Sequence, residues 1–296
     1  MPARLYFVNR IDCEDEQEKN TPLEQLVPKF IAMKESGCAM PTLLIRCAGK
    51  NADGVVNSPS SMKAIRILHK EGAPLGIHVH TRPSDDGRPK DLDAYYNPDK
   101  MRTQLQEACD RFGNVFGFRP EIFGCGDCAI SHEDCARLLK EFYIKMSLGD
   151  VVSPWRYQVT PAQKQFTASN KANCWFDYST PNWRTDFPLY KHDLWWIPAG
   201  TNGLGNNTTI KSLNINPALS DHYGSIFSRY YEISKLRPDK IIIISSLSHP
   251  PETLEHWQCW LDMHNSAQKY GFKNITSAEA LDILKTEKQV NCYKKL

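Results

Sequence analysis

GIHVHTRP, Gly76 through Pro83, places two histidines either side of one valine in what otherwise reads as a buried β-strand. Strand side chains alternate between faces, so His78 and His80 point to the same side. Two imidazoles on one face at a strand's carboxyl end either chelate a metal or form an ordinary hydrogen-bonded polar pair. The residues around them decide between the two.

Working outward, apolar runs alternate with helical patterns over most of the chain. Leu5–Asn9, Thr42–Cys47 and Pro74–His80 read as the first three strands. Between them, a helix opened by Thr21, Pro22 and Glu24 runs to about Ser36, and another runs from about Pro59 to Glu71, ended by Gly72. Asn97 and Pro98 open a helix to Phe112, Glu121–Phe123 is a strand, and the capping box Ser131 to Asp134 starts a helix to Glu141. A short strand at Tyr143–Ser147 follows. Residues 150–216 then break the rhythm, rich in Asn, Thr, Pro and aromatics, and read as a long irregular insertion. The pattern resumes with a helix at Pro217–Lys235, the strand Lys240–Ser246, a helix at Glu252–Tyr270 and a last helix opened by Thr276 and Glu279.

Strands alternating with helices imply a parallel sheet with helices outside. No GxGxxG or Walker sequence follows any strand, so a distorted α/β barrel accounts for the chain better than an open nucleotide-binding sheet. The expectation is one domain over residues 1–296. The 296 residues carry 36 Lys+Arg against 34 Asp+Glu, a net +2 that gives no reason to expect a nucleic-acid partner. No purely apolar run exceeds four residues, Ile241–Ile244 among them, which is far short of a membrane span. MPARLYFVNR shows no apolar stretch of signal-peptide type, and a cytoplasmic location is expected. The ten cysteines are then expected to be reduced and mostly buried. Oligomeric state is not readable from the sequence.

In parallel α/β folds the working residues collect at the carboxyl ends of the strands. Arg10, Asp12, Glu14, Asp15 and Glu16 follow the first strand, and His78, His80, Thr81 and Arg82 end the third. Asp127 follows the fourth, and His249 follows the late isoleucine strand. These residue types suit metal-assisted hydrolysis. A zinc-like ion takes about three imidazole and carboxylate ligands and keeps one position open. A carboxylate beside it can accept the proton of an attacking water, and a separate imidazole can protonate the departing amine.

The ordered stretches IDCEDE, EGAPLGIHVH, RPEIFGCGDCAIS, SLGDVVSPWRY, FDYSTP and SLSHPPETL resemble the polysaccharide deacetylase family, the NodB-homology or family 4-like carbohydrate esterases. They look most like the branch whose first motif is D-x-E and whose histidine pair is H-x-H. The resemblance implies a distorted (β/α) barrel, a divalent metal with zinc first, and removal of an acyl group from an amino sugar. Carried over to this chain, it implies Asp12 as general base, His249 as general acid, and Glu14, His78 and His80 as metal ligands. Arg82, Asp127 and Trp155 are the candidate substrate contacts, Trp155 belonging to an aromatic stretch that either lines a groove or packs in a core.

Three positions depart from the family pattern. Cys13 stands where the main family has a metal-binding aspartate, so the carboxylate ligand comes from Glu14 or Asp15, or Cys13 itself binds. The histidine pair is closer spaced. Gly124 stands where the family has an arginine that supports the base, so Arg82 or Arg119 is needed to supply that support.

Two other readings compete. GIHVHTR also resembles the H-x-H segment of amidohydrolase-superfamily cyclic amidases, although that family carries it on the first barrel strand. The departures at Cys13 and Gly124 also fit a catalytically inactive carbohydrate-binding barrel.

Overall fold

The computed structural model describes residues 4–14, 22–48, 55–79, 98–125, 133–148, 189–191, 193–200, 213, 217–246, 248 and 254–286. The first apolar run forms two strands. β1 (Arg4–Val8) and β2 (Arg10–Cys13) are split at Asn9 and enter different sheets. β2 begins a seven-stranded sheet with β3 (Thr42–Arg46), β4 (Leu75–Val79), β5 (Ile122–Cys125), β6 (Met146–Leu148), β7 (Leu189–Lys191) and β8 (Leu194–Ile197), in the order β2-β3-β4-β5-β6-β8-β7. All its pairings are parallel except β7 with β8. β1 is flanked by β9 (Ile241–Ser245) and β10 (Lys273–Ile275) in a parallel three-stranded sheet.

Main-chain hydrogen bonds stitch the two sheets together at their carboxyl ends. Ser245 donates to Pro198 O at 2.9 Å and Asp12 to Ser248 O at 2.8 Å. The sheets therefore curl towards one another as in a distorted barrel. Helices α1 (Leu23–Glu35), α2 (Pro59–Lys70), α3 (Pro98–Phe116), α4 (Glu133–Glu141), α5 (Tyr223–Leu236) and α6 (Leu254–Lys269) lie between strands, and α7 (Ser277–Thr286) follows β10.

Period-two alternation sorts the strand residues into two cores. Ile11, Cys13, Leu43, Ile45, Ile77 and Phe123 pack outward with helix residues such as Phe30, Leu68, Leu105 and Phe112. Val8, Leu44, Ile122, Met146, Leu148, Trp195 and Ile197 form a second, interior cluster. The isoleucine run of β9 serves both, with Ile242 and Ile244 in the first and Ile241 and Ile243 in the second. A strand covered on both faces reads as a continuous apolar run, and each such side chain contributes roughly 1.5–3 kcal/mol by its burial.

The structure also revises the reading of the sequence. Residues 150–216 are not irregular throughout. β7 and β8 form an antiparallel hairpin turned at Asp193, whose φ is 58°, and β8 joins the main sheet beside β6. Trp195 and Trp196 drive this, being 5% and 1% exposed, so they are core rather than groove residues. β10 was hidden because it is three residues long, begins with the exposed Lys273 and lies between two strong helical patterns. Of the three capping boxes, only Thr276 with Glu279 is described in full, with Glu279 N donating to Thr276 Oγ1 at 3.1 Å and Thr276 N to Glu279 Oε2 at 2.8 Å. Helix α1 starts instead with Pro22 at the cap position and no side-chain cap, while Thr21 and Ser131 lie outside the described residues.

A buried polar chain lies behind the Asn9 break. Ser246 Oγ donates to Asn9 Oδ1 at 3.0 Å, and Asn9 Nδ2 lies 2.8 Å from His264 Nε2. An amide N–H facing Nε2 requires that nitrogen to accept, so the ring is neutral. Burial agrees, lowering the His264 pKa to about 4 from 6.5. Between those values the unfolded chain binds the proton and the folded chain does not. The stabilisation is therefore complete above pH 6.5 and is lost as pH falls towards 4, by about 3 kcal/mol in all. Urea unfolding at neutral and acid pH should show this loss. His264→Gln, which keeps an acceptor for Asn9 but cannot titrate, should show a shallower decline.

Candidate metal centre

Alternation along β2 and the residue after it puts Arg10, Asp12 and Glu14 on one face, with Ile11 and Cys13 on the other. The strand ends in a tight turn, where Glu14 N donates to Asp12 O at 3.1 Å. On the neighbouring strands, Arg46 of β3, His78 of β4 and Gly124 of β5 form one register layer. The rim of the barrel interior is therefore polar where the layers below it are apolar.

Asp12, Glu14 and His78 converge there. They are 2%, 7% and 1% exposed. One potential ligand atom from each lies within 4.8 Å of the others. His78 sits between the carboxylates, its Nε2 in close contact with Glu14 Oε1 and its Nδ1 3.6 Å from Asp12 Oδ1. Two buried arginines flank the group. Arg10 Nη2 donates to Asp12 Oδ2 at 2.8 Å, and Arg46 Nη1 stands 3.9 Å from Glu14 Oε2. Arg10 Nη1 also donates to the main-chain oxygen of Leu148. Asp12 Oδ1, by contrast, is buried with no hydrogen-bond partner among the described residues. A buried carboxylate oxygen left without a hydrogen bond is costly unless something else meets it.

Cys13 takes no part. Its side chain belongs to the outer core, and burial, followed by the nearby charges of Asp12 and Glu14, pushes its thiol pKa up, away from the thiolate a metal needs. Among the described residues, Glu14 is the carboxylate that joins Asp12 and His78. Of the two arginines expected to support Asp12, Arg82 lies outside the described residues and Arg119 is turned elsewhere. Arg119 lies over the Tyr143 ring, 5.1 Å from its centroid, and Arg10 is the residue paired with Asp12.

His80, Arg82, Asp127, Trp155 and His249 lie outside the described residues. Ser248, next to His249 in sequence, is fully buried and tied to β2, its Oγ donating to Arg10 O at 2.7 Å. Sequence reasoning assigned no role to Arg10 or Arg46. The signal for Arg10 was its i, i+2, i+4 spacing with Asp12 and Glu14. Arg46 could be placed beside His78 only once the strand register was known.

No family profile and no curated protein sequence matches the chain. Solved structures do match. A Mycobacterium smegmatis protein assigned as a polysaccharide deacetylase superimposes with a TM-score of 0.56 at 11% identity, covering 97% of this chain and 96% of that one. A CE4 family pseudoenzyme from Bacillus anthracis gives 0.48 at 10% identity, over 95% of this chain and 67% of that one. A family 4 carbohydrate esterase from Streptomyces lividans, in complex with acetate, gives 0.44 at 8% identity, over 91% of each chain. The first of these supports a fold of the polysaccharide deacetylase kind, in line with the curled parallel sheet.

Proposed function

We propose that this chain is a metal-dependent hydrolase that removes an acyl group, N-acetyl first, from an amino sugar or glycan precursor. The observation that carries this is the buried Asp12, Glu14 and His78 group at the carboxyl rim of the strands. Its donor set suits a divalent cation, with two carboxylates and one imidazole converging and one carboxylate oxygen without a hydrogen bond among the described residues. Glu14 and His78 would hold the ion, with His80 as a further ligand, and zinc is the first candidate. Bound there, the ion supplies Lewis acidity towards an amide carbonyl and acidifies water.

The chain's own residues supply the rest. Asp12 Oδ1 takes the proton of the attacking water, while Oδ2 stays engaged by Arg10. His249 gives a proton to the departing amine, so the products are a free amine and a carboxylate. Arg82, Asp127 and Trp155 contact the sugar. The apolar layers beneath the rim, Leu44 and Ile122 among them, close the floor to water.

The test is metal content together with turnover. Protein purified without chelator should hold about one divalent ion per chain and release acetate from N-acetylated amino sugars, both lost after chelation. A metal-free protein with no acetate release would refute the reading. A count near two ions with ring-opening amidase activity would support the amidohydrolase alternative. His78 stands on the fourth strand in chain order, which weighs against that alternative.

A further inference from the structure

We infer that Arg10 is the positioning residue for Asp12, and that a side chain at position 124 would crowd the Arg10 guanidinium as well as Leu44, whose side chain is the nearer of the two. The inference rests on the reading of Asp12 as the base. Arg10 is fully buried and crosses the barrel interior from β2. One arm donates to Asp12 Oδ2 at 2.8 Å and the other to Leu148 O at the end of β6. Its own main-chain oxygen accepts from Ser248 Oγ at 2.7 Å, so the root of the side chain is fixed too. A planar fork held at two ends leaves the carboxylate little freedom to rotate. With Oδ2 taken, Oδ1 is the oxygen turned to His78, 3.6 Å from Nδ1.

Gly124 shows that this placement is matched on β5, three strands along the sheet from β2. A Cβ on Gly124 would lie 3.1 Å from Arg10 Nη1, 3.2 Å from its Cζ and 2.2 Å from Leu44 Cδ1. Residue 124 is not in the left-handed region, so glycine is needed here for space rather than for backbone freedom. Support for Asp12 thus comes from its own strand, two residues away, and β5 yields the room. A plain neutralising ion pair would need the charge of Arg10. A positioning role needs its geometry as well.

The experiment compares Arg10→Met with the unsubstituted protein and Leu44→Ala/Gly124→Ala with Leu44→Ala alone. Trimming Leu44 removes the closest clash, so the added methyl presses on a guanidinium that keeps its charge. Cobalt(II) binding by calorimetry, the ring-nitrogen NMR shifts of His78 in metal-free protein, and kcat with KM are measured. In Arg10→Met, and in the double variant relative to its parent, the His78 shifts should move and kcat should fall about 100-fold. KM and cobalt stoichiometry should hold. If Arg10→Met does not fold, the double variant decides. Unchanged His78 shifts with kcat within about threefold of the parent would overturn the inference. Unsubstituted protein that binds no cobalt would instead refute the metal reading beneath it, a separate outcome because no variant enters it.

Discussion

His78→Ala is expected to yield a folded protein that no longer retains its divalent ion and no longer turns over substrate. The imidazole is the one nitrogen donor in the described group and lies between the two carboxylates. Removing it leaves Asp12 and Glu14 facing an empty volume. Arg10 and Arg46 remain beside them, so neither carboxylate is stranded in the interior. That is why the fold should survive while metal affinity does not. The loss should exceed the ~10–100-fold that follows removal of a partner merely hydrogen-bonded to a ligand. Metal analysis after gel filtration, with the melting temperature as a control for folding, reads the result. Retention of about one ion per chain by the folded variant would remove His78 from the ligand set.

The Arg10 to Glu14 segment shows which features could be read without coordinates. Asp12 and Glu14 on one face, and Cys13 on the other, follow from alternation alone, because a strand offers no third direction. Only the family pattern, which has a metal-binding aspartate at that position, makes Cys13 a candidate ligand against that geometry. His78 was legible for a similar reason, standing at the end of an apolar run. The flanking arginines were not. Arg10 reaches β5 and β6, more than a hundred residues away in sequence, and Arg46 meets Glu14 only through the pairing of β2 with β3. Such contacts depend on register and barrel curvature, which no local pattern encodes. β8 was lost for another reason. Its LWWI run is short and sits in aromatic, Asn-rich sequence, and it is recognisable as a strand only by the sheet that covers it.

Asp12→Asn separates the two roles open to the first carboxylate. The amide oxygen can still accept from Arg10, so the pairing that now holds Oδ2 survives in shape. The other atom becomes an NH2 facing His78, which cannot take a proton from water. If Asp12 is the base, kcat should fall by about 10²–10⁴-fold, the range general base catalysis supplies. Metal content should stay near that of the parent, since Glu14 and His78 remain. If Asp12 is instead a ligand, metal and activity should fall together, and added metal should recover part of the rate. The close approach of all three groups makes this a real contest, for Asp12 Oδ1 is near enough to His78 to share an ion with it. Two features favour the base. Arg10 already commits one oxygen of Asp12, which leaves it unable to chelate through both, and an arginine beside a metal ligand opposes the ion's charge. Glu14, for its part, has Oε1 in close contact with His78 Nε2, the ring nitrogen that would share an ion with it. Titrating metal into the asparagine variant while following acetate release decides between them.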